Sequence, residues 1–151
     1  MKVTNASGII ANSRTLEERQ VASASIVRGK NCTLVATAAH CIYDFSKKKY
    51  YENILFSVAE DIEVKYRPVA VAVPEDFIEN TYLEYDTCFS VMEEKFNEVE
   101  AYRRAAFKVA FNLPRNLRYR IYGYPNESRL IPVMAAGEAI RDTHKNSSIL
   151  N

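Results

Sequence analysis

Short apolar runs, alternating or β-branched and each closed by turn-forming residues, constrain this chain to strands. Val21–Val27 alternates apolar and small polar side chains, Arg28-Gly29-Lys30-Asn31 supplies a turn, and Thr33–Thr37 follows, so a β-hairpin is predicted. Ile54–Val58 and Glu63–Tyr66 read as further strands. Pro68–Pro74 is a β-branched run with proline at both ends, and Thr87–Met92 is apolar enough for a buried strand. Leu117–Tyr124, ending in Gly123-Tyr124-Pro125-Asn126, and Leu130–Ile140 are predicted as the last strands. Asn12–Gln20 is polar and reads as a loop or a short helix. Phe96, Val99, Tyr102, Ala106 and Val109 recur at helical spacing, so a short helix is predicted between Phe96 and Phe111, ended by Asn112-Leu113-Pro114. Many short strands joined by turns predict an antiparallel barrel or sandwich.

Charge and composition exclude little more. The net charge of +1 offers no electrostatic case for nucleic acid or for an anionic membrane. The only basic run, Lys47-Lys48-Lys49, reads as a solvated loop. No apolar stretch approaches the roughly 18 residues of a membrane span, and the first twenty residues do not form a secretory signal. Three cysteines are too few for a disulfide scaffold and leave the redox compartment open. Four Asn-x-Ser/Thr sequons, at Asn5, Asn31, Asn126 and Asn146, matter only in a glycosylating pathway.

The segment with the most chemistry is Thr37-Ala38-Ala39-His40-Cys41, which ends an apolar strand and opens a polar loop. A histidine at a strand end is positioned by the sheet and stays accessible, and its ordinary pKa of about 6.5 suits a general base. Such a base needs a carboxylate to set its tautomer and stabilise the imidazolium. Asp86, in Tyr85-Asp86-Thr87-Cys88-Phe89, is the candidate. Taken singly, each would ordinarily be structural: a strand-end histidine and a turn aspartate.

Taken together they carry a resemblance. Thr37-Ala38-Ala39-His40-Cys41 matches the histidine motif of trypsin- and chymotrypsin-like serine peptidases, and Tyr85 to Met92 resembles their aspartate motif, in the same order and at a similar gap. Ser23-Ala24-Ser25-Ile26-Val27 resembles the strand before the histidine strand. Ala110–Arg115 and Tyr122-Gly123-Tyr124-Pro125 resemble the opening of a second barrel, the latter in the manner of bacterial, glutamyl-endopeptidase-like members. The resemblance covers roughly residues 21 to 142. It implies an all-β double barrel, with residues 1–95 a nearly complete first barrel, 96–116 a linker, and 117–151 the start of an incomplete second barrel.

It also implies a serine-type endopeptidase acting on protein or peptide substrates, without cofactor or metal, secreted or extracytoplasmic, with His40 and Asp86 as catalytic residues. The family's Gly-Asp-Ser-Gly-Gly nucleophile motif is absent from the 151 residues, and Ser147 and Ser148 lack its glycines. The chain alone is therefore expected to be a fragment without peptidase activity, or else a pseudopeptidase that binds protein. Ala22 stands where the family has the cysteine partner of Cys41, so Cys32–Cys41 becomes the candidate disulfide. A metal site from Cys32, His40 and Cys41, with or without His144, lacks close Cys-x-x-Cys spacing. A nucleophilic Cys88 is less expected than a core-filling one.

Overall fold

A computed structural model describes residues 6–13, 19–114, 117–124 and 133–138. Its main element is a seven-stranded antiparallel sheet in the order β7-β6-β1-β2-β3-β9-β8. Those strands are β1 (Ser7–Ser13), β2 (Arg19–Arg28), β3 (Thr33–Thr37), β6 (Leu55–Val58), β7 (Asp61–Tyr66), β8 (Pro68–Ala72) and β9 (Cys88–Met92). The two strands at its ends, β7 and β8, are separated in the chain by Arg67 alone. A sheet whose edge strands are joined through one residue must curl to bring them together at that corner. Glu93 fastens that corner: its amide donates to the Arg67 carbonyl at 3.0 Å, and its Oε1 accepts from the Arg67 amide at 2.8 Å.

The inner faces supply the core. Phe56, Ile26, Val35, Ile42, Cys88 and Phe96 are fully buried. Phe96 comes from a four-residue helix, α2 (Glu94–Asn97), and its ring meets Phe56, Tyr66 and Tyr102 at centroid distances of 5.8, 5.2 and 5.2 Å. The remaining elements are β4 (Tyr43–Asp44) with β5 (Lys49–Tyr50), α1 (Glu75–Asn80), α3 (Glu100–Ala105), and the pair β10 (Arg118–Gly123) and β11 (Val133–Glu138). The last two strands pair with each other, and Ile121 and Met134 on them are exposed.

The predicted hairpin is β2 and β3, and Thr33–Thr37 is the second strand residue for residue. Two expectations change, and one strand, β1, is added to those predicted. The Asn12–Gln20 segment is strand at both ends, since Asn12 and Ser13 close β1 and Arg19 and Gln20 open β2; residues 14–18 lie outside the described residues. β1 itself lies between β6 and β2, and Gly8 permits that approach: a Cβ there would sit 2.3 Å from the Ser57 carbonyl and 2.6 Å from the Phe56 ring. The helix predicted from Phe96 to Phe111 is two short helices that stop at Ala105. Beyond it Phe107 leaves helical geometry to bridge the end of β2, donating to the Ile26 carbonyl and accepting from the Arg28 amide at 2.9 and 2.8 Å. Tertiary pairing overrides the helical period there.

Candidate active site

Register brings the two candidate residues together. β3 and β9 are antiparallel, with Thr37 opposite Cys88. The end of one strand therefore faces the start of the other, and three residues beyond Thr37 comes His40 while two before Cys88 comes Asp86. His40 sits in a 3-10 turn, Ala39–Cys41, which follows β3 directly. Asp86 follows a second such turn, Leu83–Tyr85.

The carboxylate grips the histidine twice. Its Oδ2 lies 2.7 Å from the His40 Nδ1, and its Oδ1 accepts from the His40 backbone amide at 2.9 Å. With the carboxylate accepting, Nδ1 carries the hydrogen and Nε2 keeps its lone pair. The histidine side chain is 66% exposed and that of the aspartate 17%. An exposed ion pair contributes at most about 1 kcal/mol to stability. What the arrangement provides is a fixed tautomer and orientation on an accessible imidazole.

The turn is also held from the other side. Asn12, buried on β1, donates its Nδ2 to the Cys41 carbonyl at 2.7 Å. Asp44 is buried at the end of β4, its Oδ1 accepting from the Ser46 amide and hydroxyl and the Lys47 amide at 3.1, 2.6 and 3.3 Å. Neither residue is singled out by the sequence reading. A polar side chain two positions from the core residue Ile10 is the one trace of Asn12. On the next strand, the Ser23 hydroxyl accepts from the Tyr124 amide at 2.7 Å, which seats the Gly123-Tyr124 turn against β2. A Cβ on Gly123 would lie 2.9 Å from that hydroxyl oxygen.

The cysteines take no part. All three are free thiols, so the candidate Cys32–Cys41 disulfide is not formed. Cys32 precedes β3 and Cys41 follows it, and five strand residues extend about 16 Å, far beyond the roughly 7 Å Cα limit of a disulfide. Burial pushes the Cys41 thiol up, partly offset by a hydrogen bond from Thr37. Burial likewise raises Cys88, partly offset by Ser90. Both are neutral at pH 7 and make poor nucleophiles; Cys88 fills the core. Among the described residues no three His, Cys, Asp or Glu side chains gather to hold a metal ion. His144, Ser147 and Ser148 lie outside the described residues. Among the described residues no helix is long and apolar enough to cross a membrane.

No protein-family model matches the chain, and no curated protein does. Solved structures do. A thermostable serine protease from an extremophilic microorganism is 27% identical with a TM-score of 0.78, over 93% of this chain and 68% of its own. The protease Anisep from Arthrobacter nicotinovorans is 24% identical with a TM-score of 0.75, over 93% of this chain and 66% of its own. A Glu endopeptidase is 13% identical with a TM-score of 0.64, over 89% of this chain and 62% of its own. This chain thus spans about two thirds of each. Its curled antiparallel sheet and the superposition of nearly its whole length on these proteases agree: the chain has the trypsin- and chymotrypsin-like serine-peptidase fold.

Proposed function

We propose that this chain supplies the histidine and aspartate of a serine-endopeptidase triad, with the serine and the oxyanion hole contributed by a segment outside the 151 residues. The double hydrogen bond of Asp86 to His40 is the observation that carries the reading. Similarity to longer serine proteases supports it. So do the apolar side chains left exposed on and before β10 and β11, among them Phe111, Ile121 and Met134, which the rest of a second barrel would cover. On this reading residues 1–95 form the His/Asp barrel, the 96–116 linker packs Phe96, Ala105 and Ala106 into that barrel's core, and 117–151 are the opening of the second barrel. The substrate is a protein or peptide, and the enzyme is secreted.

The chemistry is acyl transfer. Nε2 of His40 takes the proton of the serine hydroxyl as its oxygen attacks the scissile carbonyl. The imidazolium, stabilised by Asp86, then protonates the leaving amine, and an acyl-enzyme remains. Water, deprotonated by the same nitrogen, releases the acid and restores the serine. Backbone N–H donors hold the oxyanion in both halves. No cofactor enters any step.

The test compares two proteins. A gene product extending into a Gly-x-Ser-Gly-Gly segment is expected to hydrolyse casein and to be labelled by a fluorophosphonate, with both lost in His40→Ala. The 151-residue chain alone is expected to do neither. Hydrolysis by the 151 residues, or full activity in His40→Ala, overturns the reading. A gene that stops at Asn151, with a product that binds peptides without cutting them, identifies a pseudopeptidase instead.

A further inference from the structure

We propose that Asn12 is a positioning residue for His40, an inference that rests on the His40–Asp86 reading above. The turn that carries the histidine is a single 3-10 turn, closed by the Cys41 amide on the Ala38 carbonyl at 3.1 Å and the Ile42 amide on the Ala39 carbonyl at 2.9 Å. Side chains from two other parts of the barrel hold two more of its polar groups. Asp86 takes the His40 amide, in the peptide plane just before the histidine. Asn12, 29 residues away, holds the Cys41 carbonyl, in the plane that ends the turn. His40 is clamped between them.

Net stability gives an amide little advantage at this position, since one buried acceptor is unmet with it and another would be unmet without it. Asn12 is 5% exposed, and among the described residues its Oδ1 has no hydrogen-bond partner. An unmet buried acceptor costs about 1–3 kcal/mol. Ile10 lies two residues earlier, so on the same strand face, and belongs to the core. An apolar residue at position 12 would continue that core and remove this unmet acceptor, but would leave the Cys41 carbonyl without its donor. The amide contributes the one bond it does make, to the turn beneath the imidazole. A carbonyl without that donor lets the turn rock, and the first contact disturbed is the pair of bonds from His40 to Asp86.

The test is NMR on the folded chain and its Asn12→Leu variant. Asn12→Leu is expected to melt close to the parent's temperature, because the unmet Oδ1 is exchanged for an unmet Cys41 carbonyl. Its His40 amide is expected to exchange roughly fivefold to tenfold faster, the equivalent of one neutral hydrogen bond, and its imidazole Nδ1–H signal to broaden. The amides of Ile26 and Val35 in the buried sheet should keep the parent's rates. Asn12→Ala, which adds no bulk, reads the same quantities where leucine crowds the site. A folded variant with an unchanged His40 amide and Nδ1–H overturns the proposal, as does exchange that quickens equally at all three amides. A parent protein with no protected His40 amide and no Nδ1–H signal overturns the His40–Asp86 pair itself, and the positioning role with it.

Discussion

Asp86→Asn, introduced into the gene product that carries the serine, is expected to lower kcat about 10⁴-fold, the size known for this swap in Ser-His-Asp triads. The reason is local. The His40 amide donates to Oδ1, so the retained carbonyl oxygen of the new side chain must stay on that side. Its NH₂ then faces Nδ1, which can only accept. The imidazole hydrogen moves to Nε2, and the nitrogen that should take the serine proton becomes a donor. KM should change little, because Asp86 touches no substrate in this scheme. Stability should fall by no more than about 1 kcal/mol, since the pair is exposed. Unaltered kcat in Asp86→Asn would mean that the carboxylate does not set the tautomer.

Phe96→Ala is expected to destabilise the barrel by about 3–5 kcal/mol, read from the urea midpoint. The ring is wholly buried and touches three other aromatic rings, yet it is held by only one turn of helix. A void there lies at the centre of the core and so near the strands that carry the site. With domain stabilities of about 5–15 kcal/mol, such a loss is a large share. Phe111→Ala, at a residue 81% exposed, should stay within about 0.5 kcal/mol. Equal effects at the two positions would show that Phe96 is not the core residue described.

Strands with strong side-chain patterns were legible, and those made by their neighbours were not. Thr33–Thr37 and Cys88–Met92 carry enough apolar and β-branched residues to declare themselves, and because they pair, their ends bring His40 to Asp86. β1 offers only Ile9 and Ile10, adjacent and so out of alternation, and owes its form to pairing on both sides. The helix α1 leaves little trace in the sequence: acidic Glu75 and Asp76 suit a helix start, but six residues are too few to show a helical period. The run from Phe96 to Ala106 has helical spacing, but Phe107 finds better partners on β2. The cysteine pairing failed because the hairpin places Cys32 and Cys41 at opposite ends of one strand. Asn12 shows in the sequence only as a polar residue two positions from Ile10, for its meaning lies in a carbonyl 29 residues along the chain.

The protonation site of the neutral His40 imidazole, read from the ¹⁵N shifts of its two ring nitrogens in the 151-residue protein, asks the central question without needing the serine. A carboxylate gripping Nδ1 predicts hydrogen on Nδ1 and a bare Nε2. Hydrogen settled on Nε2, or shared freely between the nitrogens as in an isolated histidine, would contradict the account.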